Sequence, residues 1–376
     1  MGDVLRFGSA TRGALVGVGL LVLTALPAPA QGTQPSIGGT PLTVVQTVDT
    51  LPEPEALAAL AQIAGALQAA TAEDAALAAF DAALRDRAEW LFDSGREDLR
   101  VALLSLSAEI ARLRFGGDSP EHARALASVA NSHAFWRGDP AAAEPLARRA
   151  VALARQAAAD LDVNELPGLL AQHASILSAL GRPAEAVPLR REVVAYWRGV
   201  LEPGHIALEP RLRDLARDLE ASGAMDEAEA AHVEAAAILR QTHGPDHVLR
   251  VPPLLDFARF LQARGDAEGA FAMRVEALRV LGLQVARARA DRADDPYQLP
   301  RWLGQLADVA AALGETDRAT ALHLQAVALV RQGLGDDHPL TTEAVAAALA
   351  HARGYDPDNA ELRALATAFP GLATAD

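Results

Sequence analysis

The feature that most restricts this chain is a series of single glycines, Gly95, Gly138, Gly181, Gly223, Gly265 and Gly314, each followed by a few polar or turn-forming residues. Their spacings are 43, 43, 42, 42 and 49 residues. A period of this length marks a stack of supersecondary units, because one small unit cannot bury its apolar face alone and must lean on its neighbours. Other side chains keep the same step. An alanine stands seven residues before each glycine, or eight before the second, at Ala88, Ala130, Ala174, Ala216, Ala258 and Ala307. Five residues after the glycine come Ala143, Ala186, Ala228, Ala270 and Ala319; at offset 8 come Leu146, Leu189, Ala231, Met273 and Leu322; at offset 12 come Ala150, Val193, Ala235, Ala277 and Ala326. These offsets differ by three and four, so the residues form one stripe along a helix.

Beyond residue 55 the apolar positions follow the helical period throughout. The predicted unit is therefore an antiparallel pair, helix A before the glycine and helix B after it, with small side chains where the two cross and the glycine closing the turn. Composition agrees. The chain is 51% hydrophobic but only 4% aromatic, so alanine and leucine, both strong helix formers, must build the core. The expected fold is all-α, a right-handed superhelical solenoid of about six units of roughly 42 residues.

Three places depart from the pattern. The 49-residue step arises near Gln284 to Tyr297, where either helix B runs on by two turns or a loop bulges out. The first repeat has Arg100 at offset 5 and Ser107 at offset 12, which reads as a polar capping unit. Pro145 and Pro188 fall inside helix B at offset 7 and are expected to bend it. Two further helical segments, about Glu55 to Ala70 and Glu73 to Phe92, supply an N-terminal cap and the first helix A.

The stretch "HGPDH", His243 to His247, has the look of a two-imidazole metal site. Offset 24, however, holds Ser119, Asp162, His205, His247 and His338, each at a repeat boundary and several of them residue types that cap helices. A positional role in the turn is therefore expected, and no metal or other cofactor.

Missing residue types exclude whole chemistries. The sequence has neither cysteine nor lysine, which removes thiolate nucleophiles, cysteine zinc sites, Schiff-base lysines and the lysine of a phosphate-binding loop. With 49 acidic residues, a net charge of −15 and no dense arginine run, a nucleic-acid backbone would be repelled. No G-x-S-x-G elbow points to a hydrolase, and no catalytic residue is assigned.

The first thirty residues read as an address. Arg6 and Arg12 precede an apolar run from Ala14 to Leu26, followed by Pro27 and Ala28-Pro29-Ala30, the three parts of a secretory signal peptide. As a helix this run would rise about 20 Å, short of the roughly 30 Å hydrocarbon core of a bilayer. Cleavage after Ala30 and a periplasmic or secreted protein, free of the membrane, are expected. The chain then divides into a signal peptide (1–30), a linker (31–54) with "LTVVQTV" as a stray strand, an N-terminal helical cap (55–83), the repeats (84–354), and a C-terminal capping helix and tail (355–376), the helix lying within Gly354 to Phe369.

Laid out in this way, "GDPAAAEPLARRAVAL" (Gly138 to Leu153), "GRPAEAVPLRREVVAY" (Gly181 to Tyr196), "GETDRATALHLQAVAL" (Gly314 to Leu329) and "LGDDHP" (Leu334 to Pro339) resemble tetratricopeptide repeats of the kinesin light chain type. The resemblance covers roughly Leu84 to Gly354. It implies a non-catalytic scaffold that holds a protein or peptide partner in a groove lined by helix A. The residues expected to face that groove are Gln172 and Ser175, then Arg213, Asp214 and Arg217, then Asp256 and Arg259, then Gln305 and Asp308. Only Asn131 and Asn164 represent the asparagines with which kinesin light chains clamp a peptide, so their cargo preference is not carried over. An exported hydrolase and a small-ligand sensor are the alternatives.

Overall fold

The computed structural model describes residue 45 and residues 48–69, 74–91, 94–157, 164–292 and 294–373. The segment read as a signal peptide and most of the expected linker lie outside them, as does Asp162. Among the described residues sixteen α-helices follow one another: α1 Glu53–Ala69, α2 Asp74–Trp90, α3 Glu97–Phe115, α4 Pro120–Asn131, α5 Pro140–Gln156, α6 Glu165–Ala179, α7 Pro183–Val200, α8 Glu209–Ser222, α9 Met225–His243, α10 Val251–Arg264, α11 Ala267–Asp291, α12 Gln298–Ala312, α13 Thr316–Leu334, α14 Pro339–Tyr355, α15 Ala360–Ala368 and α16 Pro370–Ala373. No strand occurs among the described residues. The expected stray strand falls partly outside them, and its last residue, Val48, opens a 3-10 turn over Val48–Thr50.

Each repeat glycine sits where the period places it, between α2 and α3, α4 and α5, α6 and α7, α8 and α9, α10 and α11, and α12 and α13. All six have positive φ, from 69° to 90°, a region that costs any other residue. At Gly223 the turn closes as Gly223 N–H donates to Glu220 O and Ala224 N–H to Leu219 O, at 3.0 and 2.9 Å, which satisfies carbonyls left open at the end of α8. The stripe of small residues is buried as expected: the six alanines before the glycines and the five at offset 5 are all at most 2% exposed.

The chain forms two compact bodies that divide between Tyr196 and Trp197, within α7. In the first, Leu60, Phe80, Leu84, Leu99, Leu103 and Ile110 from α1, α2 and α3 form the largest cluster, joined by Val45 and Val48 from the end of the expected linker. In the second, α10 to α13 contribute Leu254, Val280, Leu281, Leu299, Leu303 and Ala326, and α13, α14 and α15 close the C-terminal end through Val327, Val345, Leu349 and Leu362.

The irregularities in the period have structural counterparts. The extra residue between Ala130 and Gly138 is absorbed as a π-turn at Ser132–Trp136, in which Arg137 N–H donates to Ser132 O at 3.0 Å. One surplus residue widens a single helical turn and leaves the stripe in place. The seven extra residues before Tyr297 do not form a loop: α11 runs 25 residues, to Asp291. At the C-terminus Gly354 lies inside α14, and the capping helix starts later, at Ala360, where Asn359 Oδ1 accepts from the N–H groups of Glu361 and Leu362 at 3.0 and 3.2 Å.

The first repeat is not a solvent-facing cap. Ser107 is 3% exposed; its hydroxyl donates to Asp81 Oδ1 at 2.5 Å and accepts from Arg85 Nε at 3.1 Å. Arg100 Nε donates to Ala88 O at 3.2 Å. Polar groups here replace small apolar ones at the helix crossing, where each finds a partner.

Candidate functional site

The repeat boundaries are built alike. His205 and His247 each precede a three-residue 3-10 turn and His338 precedes α14, and the Nδ1 of each accepts the N–H two residues on, from Ala207, Leu249 and Leu340, at 3.1, 3.2 and 3.2 Å. Ser119 Oγ does the same for His122 N–H at 3.2 Å. The four described residues of the offset-24 series are therefore helix caps, three of them with an imidazole taking the place of the usual oxygen. In "HGPDH" the rings of His243 and His247 lie 4.6 Å apart. Burial, then the neighbouring His243, pushes the His247 imidazole below its ordinary pKa. Arg279 Nη2 donates to Pro245 O at 3.1 Å, Arg250 donates to the same oxygen, and Arg279 Nη1 reaches Asp246 Oδ1 at 2.6 Å. Glu276 anchors both arginines, accepting from Arg250 at 2.8 Å and Arg279 at 2.9 Å. Those bonds, Arg279 foremost, hold its carboxyl down at about 2. No group of three metal-ligating side chains occurs among the described residues.

The residues expected on the groove face lie in the A helices: Gln172 and Ser175 on α6 in the first body, the others on α8, α10 and α12 in the second. Many are tied to a neighbouring repeat. Gln172 Nε2 donates to Ala127 O of α4 at 2.7 Å. Arg213 donates through Nε and Nη2 to Asp256 Oδ2 at 2.9 and 2.5 Å, from α8 to α10, and stands 3.6 Å from Glu209, whose carboxyl burial pushes above its usual range. Asp214 pairs with Arg217 at 3.2 Å, and Arg259 reaches Asp256 at 3.5 Å and Glu220 at 3.9 Å. In the first body Arg124 of α4 likewise bridges to Glu165 of α6 at 3.0 Å. Gln305 and Asp308 line a cleft of about 390 Å³ between α12, α13 and α14.

A second row was not singled out from the sequence. Nine residues after the glycine, helix B carries Arg190, His232, Arg274 and His323, where the second repeat has Ala147. These side chains reach up to helix A of their own repeat. Arg190, 6% exposed, donates to Ser175 Oγ at 2.9 Å; His232 Nε2 meets Glu220 Oε1 at 2.6 Å; Arg274 donates to Gln262 at 3.4 Å. His323 is 2% exposed, and its Nε2, 3.4 Å from Asp308 Oδ1, makes no hydrogen bond. The period itself was the available signal: offset 9 belongs to the same helical stripe as 5, 8 and 12, and a basic residue recurs there.

A buried cluster of Thr320, His351 and Asp356 has the residue types of a hydrolytic triad but not its order. Thr320 Oγ1 lies 2.8 Å from His351 Nε2 and 3.0 Å from Asp356 Oδ2. A hydroxyl has one proton, and a carboxylate can only accept, so the threonine gives its proton to Asp356 and accepts from the imidazole. An attacking hydroxyl needs the opposite direction. The cluster joins α13 to α14 and the turn that follows.

Family models of the tetratricopeptide repeat match residues 166–241 and 301–340. Among solved structures, nearly identical TPR-like repeats from a kinesin light chain-type protein of Podosopora anserina align with 25% identity over 57% of this chain and 98% of that one, at a TM-score of 0.45. BtubC from P. vanneervenii aligns with 20% identity over 65% and 94%, also at 0.45. A signal transduction ATPase with a tetratricopeptide repeat sensor, from Pyrococcus horikoshii, aligns with 12% identity over 98% of this chain and 53% of that one, at 0.50. A search of curated proteins finds no match. No described helix is long and apolar enough to cross a membrane. Two stretches of the chain match tetratricopeptide repeat models, and the same glycine-closed helix pair recurs in both bodies, so the chain carries repeats of the tetratricopeptide type.

Proposed function

We propose that the protein is a non-catalytic, exported scaffold that holds a partner protein or peptide against the polar faces of its A helices. The observation that carries this reading is the set of cross-repeat bonds on those faces, above all Arg213 to Asp256. Side chains held by a neighbouring repeat present their remaining donors and acceptors in fixed positions, and such preorganisation lowers the cost of capturing an extended chain. Arg217 and Arg259, with 53% and 58% of their side chains exposed, stand beside this bridge and supply charge to a partner.

The test is co-purification of the mature protein from the exported fraction of its host, in parallel with an Arg217→Ala/Arg259→Ala variant. Both substitutions are at exposed positions and should leave circular dichroism and Tm unchanged. Loss of the captured partner supports the reading; retention of it by the double variant removes these faces as the binding surface. The same preparation tests export, because its mature N-terminus should be Gln31.

A further inference from the structure

The A-helix carboxylates that face a neighbouring repeat are, in most places, met by an arginine of this chain. Asp256 has Arg213 and Arg259, Asp214 has Arg217, and Glu165 has Arg124. The last full repeat breaks the pattern. At the position that Arg217 and Arg259 occupy in their repeats stands Asp308, and at the position of Arg213 stands Gly304. Asp308 and, on α14, Glu343 have no arginine partner among the described residues, and both lie on the cleft of about 390 Å³. Tyr297, Arg301, Gln305 and His323 also line it. The Arg301 guanidinium lies 5.9 Å from the Trp302 ring and pairs with neither acid. His323, a lining residue only 2% exposed, places its unbonded Nε2 3.4 Å from Asp308 Oδ1 without the alignment of a hydrogen bond. A buried polar atom without a partner is costly, and here it lies against a cleft whose fixed charges sum to negative.

Resting on the scaffold reading above, we infer that this cleft takes an arginine side chain of the partner's extended segment. That guanidinium would restore the ion pairing that this chain supplies to itself at Asp214 and Asp256, with Asp308 and Glu343 as its counter-charges. Its aliphatic stem would lie along Leu340, Ala344 and Val330, three of the apolar lining residues, and the phenol of Tyr297, a residue 55% exposed, would cover it from the rim. Guanidinium and carboxylate meet in a planar, two-bonded geometry that a neutral urea cannot reproduce with the same strength.

The experiment uses the full chain with 15N-labelled histidine and capped pentapeptides, acetyl-Gly-Ala-Xaa-Ala-Gly-amide, in which Xaa is arginine, citrulline or glutamate. The expected result is that the arginine peptide shifts the His323 imidazole signals in a saturable way and binds at least about fivefold tighter than the citrulline peptide, with the glutamate peptide weaker still. Asp308→Asn and Glu343→Gln, both at exposed positions, should each remove part of that preference, and the double variant all of it. Equal binding of arginine and citrulline peptides, an undiminished preference in the double variant, or no shift with the arginine peptide overturns the inference. Free arginine amide binding as tightly as the pentapeptide also overturns it, by making the cleft a small-cation site. If the preference fails while co-purification of a partner persists, this inference falls and the scaffold reading stands.

Discussion

At the scale of single residues, positions where backbone geometry leaves no choice carry the fold. Gly265 has a φ of 90° and nothing near it that an added Cβ would strike, so Gly265→Ala isolates the backbone term. It should cost about 1–2 kcal/mol, measured by urea unfolding, while Gly282→Ala within α11 should be neutral or mildly stabilising. Glu276 acts instead through its side chain, which holds two arginines. Glu276→Gln leaves Arg250, 6% exposed, with a weaker partner and loosens the clamp on Pro245. A loss of about 1–3 kcal/mol is expected, and an unchanged denaturation midpoint would show that the Pro245 carbonyl alone suffices. The sequence made the glycines legible, because few residues tolerate positive φ. It did not make Glu276 legible, since Arg279 is an ordinary i+3 partner, Arg250 lies 26 residues away, and nothing in their spacing marks a hub.

At the scale of elements, the period specifies which residues face inward, and the surplus or missing ones are accommodated locally. The π-turn at Ser132–Trp136 follows from one extra residue. Deleting Phe135, which is 50% exposed, should return α4 to a regular helix with a Tm within a few degrees of the parent. Deleting Asp214 in α8 should instead turn Leu215, Ala216 and Leu219 by about 100° out of the core and abolish cooperative unfolding. Circular dichroism melts of the two deletions separate these outcomes. Ser107 shows the limit of pattern reading. A serine at a small-residue position suggests solvent, yet Asp81, 26 residues earlier, supplies a buried acceptor. The cross-repeat pair Arg213 and Asp256, 43 residues apart, was hidden for a related reason: the period placed both on one face but did not say which long side chain reaches which neighbour. A double-mutant cycle should find coupling of about 1 kcal/mol between them, and the exchange Arg213→Asp/Asp256→Arg should recover part of what each single change loses.

At the scale of the whole molecule, acid is the expected weakness. Burial above all pushes the imidazoles of His133, His173 and His351 below their ordinary value. The unfolded chain therefore takes up protons that the folded chain resists. Their contribution to stability is complete above about pH 6.5 and falls as pH drops through the depressed folded values. The expected outcome is a Tm lower at pH 5.5 than at pH 7.5, with part of the difference removed in His173→Gln. An equal Tm at both pH values would contradict it. His247, whose imidazole burial also pushes down, shares the liability, because its Nδ1 gives up the Leu249 N–H on protonation.

The overlong helix α11 has a consequence for how such a chain can grow. Seven residues add almost two full turns, and a straight helix drifts only about 20° over that length; Val285, 4% exposed, stands as far from its glycine as the last residues of α9 and α13 stand from theirs, and the added stretch begins after it. Segments of this length can thus enter the tail of a second helix without disturbing the phase of anything upstream. In consequence, that tail is the place where foreign heptads, and the side chains they carry, could be spliced in while the stack keeps its beat.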